Sequence, residues 1–249
     1  MNRGDRAWCG AALAATLLVA TPTDAQQAGD GFLFRPPAGA LTVRGGFNYA
    51  RAGSDIFSFA TSQLTLRPRD FSALNLGTDA SVRMTPRVEV VFGWSFSSSS
   101  SPSEFRDWVD NHDRPIEQTT TFVRAPLTLS VKAYFKQPGR SVGRFAWIPA
   151  RYAPYVGFGG GTMWYSFHQE GDFIDFTTTR VFHDRFASSG WTPMAQGFAG
   201  TDVSLSPHFA LTADARYQWA RATMKRDFSG FDRIDLSGVA LTAGIAIRY

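Results

Sequence analysis

The chain closes on Thr242-Ala243-Gly244-Ile245-Ala246-Ile247-Arg248-Tyr249, and this stretch decides the fold. Ala243, Ile245, Ile247 and Tyr249 alternate with Thr242, Gly244, Ala246 and Arg248. A period of two marks a β-strand whose two faces meet two different surroundings. An apolar tail has no reason to fray into water, so this end is expected to be structural. Such a strand also has an edge, and an exposed apolar edge aggregates unless another strand pairs with it.

Seven upstream segments repeat the alternation. Ala40–Ala50 sets Leu41, Val43, Phe47 and Tyr49 against Thr42, Arg44 and Asn48. Leu74–Met84 sets Leu76, Ala80 and Val82 against Asn75, Asp79 and Arg83. Val88–Phe96 sets Val90, Phe92 and Trp94 against Glu89 and Gly93. Thr119–Phe135 sets Val123, Leu127, Leu129 and Val131 against Arg124, Thr128 and Lys132. Tyr152–Phe167 is glycine-rich, with Val156, Phe158 and Trp164 on one face and Gly157, Gly159 and Gly161 on the other. Trp191–Leu205 sets Ala199 and Val203 against Gln196 and Asp202. Phe209–Arg221 sets Leu211, Tyr217 and Trp219 against Asp214 and Arg216, and Leu236–Tyr249 completes the series. Each reaches the ~9–11 residues that a tilted strand needs to cross a bilayer.

The connections alternate in length. Thr85-Pro86-Arg87 and Ser206-Pro207-His208 read as tight turns, whereas the stretch after the first segment, Ser97–Gln118, His168–Gly190 and Met224–Asp235 read as long polar loops. The run of serines from Ser97 to Ser101 is expected to be flexible, and the loop aromatics to pack on one another. Lys136–Arg151 is long for its side of the molecule. It is either a solvated excursion or a place where Lys136, Arg140, Arg144, Phe145, Trp147 and Arg151 rest on lipid phosphates. Pro154 and Pro193 are placed at strand ends. Pro126 falls inside a strand, where it deletes a ladder hydrogen bond and suggests a bulge.

At the other end Arg3 and Arg6 precede an apolar run, Ala7–Ala20, followed by Thr23-Asp24-Ala25. This is the layout of a secretory signal peptide over residues 1–25, with cleavage before Gln26. Residues 26–38 then form a short periplasmic segment and 39–249 the main domain. The apolar run is shorter than the ~20 residues of a membrane helix, and nothing after it is longer. Cys9, the only cysteine, lies within that run, so the mature chain is exported without disulfides. The net charge of +4 is spread among acids rather than gathered in a stripe, which argues against nucleic-acid binding. The 22 phenylalanines and 14% aromatics suit strands that face lipid.

A soluble sandwich would also alternate. Here, however, the polar face carries Arg44, Asp79, Arg83, Glu89, Arg124, Lys132, Asp202, Asp214, Arg216 and Arg248 at mid-strand. Aromatic residues gather near the strand ends, where amphipathic rings sit at a membrane interface. The expectation is therefore an all-β fold, an eight-stranded antiparallel transmembrane β-barrel with both termini periplasmic. The ten ionic groups would form a charge network in its interior.

Thr242, Gly244, Ile247 and Tyr249 resemble the C-terminal insertion signal of bacterial outer-membrane barrels. The pattern over most of the mature chain resembles the small OmpA-, OmpX- and OmpW-like barrels. That resemblance implies an outer-membrane location, with outer-membrane lipids and the barrel-assembly machinery as partners. It also implies roles in envelope integrity, adhesion or passage of small hydrophobic molecules. No peptidoglycan-binding domain follows Tyr249, so an anchoring role is not expected.

Eight strands enclose a lumen that side chains can fill. The expected function is structural or surface-interacting, with the lumen plugged by ion pairs and long external loops. The alternative is a narrow channel for small or hydrophobic solutes, and a lipid-modifying enzyme comes third. His112, His168 and His183 are placed in loops and His208 in a turn, with no metal-ligand spacing or serine elbow. Small-barrel lipid A deacylases and palmitoyl transferases use a strand histidine, so the loop placement argues against that class. His168, Glu170, Asp172 and Asp175 are expected to be an ordinary solvated cluster. No catalytic, cofactor or metal residue is assigned.

Overall fold

The computed structural model describes residues 32–249 except 111, 144, 145, 176, 177 and 179. The expected signal peptide, its cleavage site, the start of the segment after it, and Arg144 and Phe145 lie outside the described residues. Eight long strands dominate: β1 Gly39–Ala50, β2 Ala73–Thr85, β3 Val88–Val109, β4 Pro115–Tyr134, β5 Tyr152–Ile174, β6 Val181–Ser204, β7 Phe209–Ala222 and β8 Gly238–Arg248. Each pairs antiparallel with its neighbour in sequence, and β8 pairs with β1, so the sheet closes on itself. The edge left by the last strand is thus removed, and every expected segment is a strand of this ring.

The registers fix the barrel's dimensions. From Ala40 the partners run through Ser81, Val91, Ser130, Gly159, Gln196, Gln218 and Gly238. Gly238 then pairs with Ala50, so one circuit returns to β1 ten residues further along. A shear of ten with eight strands tilts them by about 40° and sets the wall roughly 8 Å from the axis. Each residue then adds roughly 2.5 Å of height, so 10–12 residues span the ~25 Å apolar band of an outer-membrane barrel.

The alternation is observed as expected. Leu74, Leu76, Phe92, Trp94, Leu129, Phe158, Leu211, Ile245 and Ile247 point outward and are exposed, while Arg44, Asp79, Arg124, Asp214 and Arg216 are buried inside. Exposed aromatics mark both rims of the band: Tyr49, Phe96, Trp191 and Trp219 at one, Phe135, Phe209 and Tyr249 at the other.

Several boundaries are corrected. The stretches read as the second and third loops are mostly strand: β3 runs to Val109 and β4 starts at Pro115, β5 runs to Ile174 and β6 starts at Val181. The serine run is strand rather than loop. Ser97 and Ser99 are buried in β3, and the Ser99 hydroxyl donates to the Phe122 carbonyl (3.5 Å). Above the apolar band the outer face turns polar and the inner face mixes serines with apolar residues such as Ile116 and Phe122, so period-two hydrophobicity disappears although the strand continues. Pro193 is interior to β6, one residue before β6 begins to pair with β7 at Met194, so its missing N–H falls on a free edge. No bulge forms at Pro126. The β3–β4 pairs lapse opposite Ala125–Pro126 and resume in the same register, with Trp94 on Leu127 and Ser97 on Arg124.

Two further elements fall in connections. Residues 51–72 contain α1, Asp55–Gln63, and a 3-10 turn at Pro68–Phe71. Asp55 starts the helix and accepts a hydrogen bond from the Ile56 N–H (2.8 Å). Ile56, Phe57, Ala60 and Leu64 share one buried face. On the opposite side Gly139–Val142 and Ala146–Pro149 make a two-stranded hairpin, which Leu33 extends through two backbone hydrogen bonds with Trp147.

Candidate functional site

The lumen is where the expected site residues meet, and it has three layers. The layer nearest α1 is apolar. Ile56, Phe57, Leu64, Leu66 and Phe71 descend onto Phe122, Met163, Tyr165, Phe167 and Met194 of the strands, joined by Phe228, Ile234 and Leu236. Phe57 is the hub, with ring centroids 4.7 Å from Phe71, 5.4 Å from Phe122 and 5.9 Å from Phe167. Phe228 also packs on Phe167 and Phe231, so the loop aromatics do pack on one another.

The middle layer holds ions. Arg44 grips Asp79 with two hydrogen bonds of 3.0 and 3.1 Å, a diagonal cross-strand pair within reach of a long side chain. Across the lumen Arg216 reaches the same Asp79 and also Asp214 at 2.9 and 3.0 Å. Thr242 donates to Asp214 (2.9 Å), so one residue of the expected insertion signal belongs to this network. Glycine makes room: a Cβ at Gly93 would press on the Asp79 carboxylate, and one at Gly157 would collide with the Phe198 ring. That ring lies 4.8 Å beneath the Arg216 guanidinium.

Below it, Lys132 pairs with Asp202 at 2.9 Å and Arg83 with Glu89 at 3.5 Å. The Tyr134 hydroxyl donates to Asp202 (2.7 Å) and lies 3.3 Å from Glu89, tying the two pairs together. Arg248 donates to the Ser204 hydroxyl (2.9 Å). Here a cavity of about 30 Å³ remains, lined by Arg83, Glu89, Lys132, Asp202 and Arg248 among others. That is room for a water or two. Arg83 Nε, Asp202 Oδ1 and Arg248 Nη1 are buried with no protein partner.

The third layer is the hairpin. Trp147 is 2% exposed, with the guanidinium carbons of Arg83 and Arg248 each 5.7 Å from its ring. Lys136–Arg151 therefore neither wanders in solvent at this residue nor lays Trp147 on lipid. It folds under the barrel mouth because two interior arginines offer the indole a cationic ceiling.

Nine of the ten expected ions thus lie in the middle layer or between it and the hairpin. Arg124 stands apart, under the apolar layer, donating to the Leu236 carbonyl (3.4 Å) with Phe122 5.0 Å from its guanidinium. Tyr134, Tyr155, whose hydroxyl donates to Asp214 (3.3 Å), and Asp235 were missed. Both tyrosines sit on the inward parity of β4 and β5, so the alternation could have found them. Asp235, 3% exposed, ends a short strand at Ile234–Asp235 that carries no such pattern.

Gly244 has a steric duty at the β8–β1 seam. A side chain there would run into the Val43 carbonyl oxygen. Ile247 and Tyr249 face outward, and the Tyr249 hydroxyl reaches the Ser81 carbonyl (3.4 Å).

The histidines correct the reading of the loops. His168 lies in β5 and His183 in β6, in the portions that extend beyond the apolar band. Burial, with Arg185 nearby, holds the His168 imidazole below its ordinary pKa, Glu170 opposing. His183 Nδ1 is 2.9 Å from Asp172, in an exposed pair. The absence of strand histidines is therefore no argument against a barrel enzyme. Among the described residues, no group of three or more His, Cys, Asp or Glu could hold a metal ion.

No protein-family model matches the sequence, and no curated protein does. Among solved structures the chain is similar to small outer-membrane β-barrels. OprG of Pseudomonas aeruginosa shares 13% identity at a TM-score of 0.46, covering 87% of this chain and 99% of that one. A major outer-membrane protein of Thermus thermophilus shares 12% at 0.47, covering 86% and 100%. The N-terminal β-barrel domain of Pseudomonas aeruginosa OprF shares 13% at 0.40, covering 86% and 100%. The chain described here is, by its own strand ring, an eight-stranded antiparallel β-barrel.

Proposed function

We propose that the protein is an integral outer-membrane barrel with a structural or surface-interaction role, its lumen blocked rather than conducting. The single observation behind this reading is the filling of the interior in three successive layers. The apolar cluster around Phe57, the Arg44–Asp79–Arg216–Asp214 network and the Trp147 hairpin follow one another along the lumen, with a chamber of about 30 Å³ among the ions. The termini and tight turns belong to the periplasmic side and the tall β3–β6 hairpins to the outside, the arrangement typical of such barrels. Outer-membrane lipids then surround the wall, and the assembly machinery would read Thr242, Gly244, Ile247 and Tyr249 during insertion.

Planar-bilayer recording of purified protein tests this. A silent bilayer is the expected result, whereas discrete conductance steps would establish a channel instead. One observation favours the channel reading: the orphaned Arg83, Asp202 and Arg248 atoms face the chamber, as the walls of a narrow polar path would. Catalysis is not part of the proposal. Expression followed by lipid A mass analysis checks it, and a mass shift dependent on His168 would overturn it.

A further inference from the structure

Three arginines on three different elements converge at one rim of the barrel. Arg51 follows β1, Arg221 is the outward-facing penultimate residue of β7, and Arg233 precedes the short strand at Ile234–Asp235. All three are exposed. They line one open cavity of about 540 Å³, whose other walls include Thr192, Pro193, Ala195 and Trp219. This opening exists because β6 and β7 part company above the Met194–Ala220 pair, leaving a lateral notch in the wall.

The charges in the notch are unbalanced. Arg51 lies 3.8 Å from the buried carboxylate of Asp235, the one ion pair found there among the described residues. Among the same residues, Arg221 and Arg233 form no ion pair within 4 Å. They are nonetheless held close, since Arg233 Nη2 donates to the Arg221 carbonyl (3.4 Å). Arginines grouped around one opening without acids keep forked donors available for an anion, and phosphate suits that geometry best. The floor is different in kind. Pro193 and Ala195 continue the outward apolar surface, and Trp219, 50% exposed, stands at its edge like the aromatic residues of a membrane interface.

From this we infer that the notch is a binding site for a phosphorylated lipid of the leaflet farther from the termini. The phosphate sits among Arg51, Arg221 and Arg233, and an acyl chain lies along Pro193, Ala195 and Trp219. This inference rests on the membrane-spanning reading above and adds to it one fixed lipid on the wall. A soluble anion would use the arginines but not the floor, and a neutral lipid the reverse.

The test compares the full chain with the Arg221→Gln/Arg233→Gln variant, which breaks no ion pair among the described residues. Arg51→Gln is kept separate because it would strip Asp235 of its partner. Both proteins are refolded into phosphatidylcholine nanodiscs doped with diphosphoryl lipid A, or with lipid A from which both phosphates have been removed. Lipid retained after extraction is counted by native mass spectrometry. The wild type should hold diphosphoryl lipid A in preference to phosphatidylcholine, and the variant should lose that preference roughly tenfold to thirtyfold. Retention of both lipid A forms alike, equal retention by the variant, or displacement by millimolar inorganic phosphate would overturn the inference. Lys136→Gln/Arg140→Gln, exposed cations near the opposite rim, serves as the control that should change nothing. Insertion without lipid preference sinks this inference alone, whereas failure to insert into any nanodisc sinks the membrane reading with it.

Discussion

At the scale of single residues, the interior is a set of charges that are tolerable only together. Arg216 serves Asp79 and Asp214 at once, so its removal leaves buried Asp214 without a cation and Asp79 with Arg44 alone. Arg216→Met is expected to lower the unfolding free energy by about 3–5 kcal/mol, measured by urea titration in detergent micelles. Adding Asp214→Asn should recover part of that loss, since it removes the stranded charge. An unchanged midpoint for the single variant would mean that water, not Arg216, carries the charge balance. Gly244 acts differently, through shape. With no room for a Cβ against the Val43 carbonyl, Gly244→Val should prevent β8 from closing on β1. The observable is loss of the fast-migrating unboiled band on a gel, while Ala243→Val on the lipid face should keep it.

At the scale of elements, the two non-barrel pieces pack at opposite ends of the barrel interior. α1 is held by its buried face rather than by its length, since nine residues are too few for a stable isolated helix. Phe57→Ala empties the hub of four packed rings and should cost about 3–5 kcal/mol. The accompanying sign would be protease cleavage within residues 51–72 of an otherwise intact barrel. Protection equal to wild type would show that the helix is anchored elsewhere. The hairpin at 139–149 depends on Trp147 in the same way. Trp147→Ala should free it for cleavage at Arg140 without abolishing the folded band, because the hairpin adds no strand to the ring. The strand extensions explain why these inserts are one-sided. β3 to β6 run to 20–24 residues while β1, β2, β7 and β8 run to 11–14, so α1 and the 222–238 connection lean on a tall half-wall.

At the scale of the whole molecule, the hydrogen bonds of the wall form a closed ring, and opening it anywhere opens it everywhere. That cooperativity predicts a heat-modifiable protein. Unboiled samples should migrate ahead of boiled ones, with a strand-dominated circular dichroism spectrum in detergent. A freely soluble monomer without detergent would contradict the outward band of Leu74, Phe92, Phe158 and Ile245.

The chain alone determined the ring. Strands in a bilayer must show hydrocarbon on one face and ions on the other, and that contrast writes itself into every second residue from Leu41 to Ile247. The interior roster of Arg44, Asp79, Asp214, Arg216 and their fellows was legible for the same reason. Beyond the apolar band the outer face meets water and the buried inner face mixes serines with aromatics, so the alternation fades, and Ser97–Val109 and Val181–Gly190 looked like loops though they are strands. Only the tertiary structure decided which ion meets which, because partners such as Asp79 and Arg216 lie 137 residues apart. It also decided that α1 and Trp147 turn inward, since nothing local tells a short apolar segment whether lipid, water or an open barrel mouth awaits it.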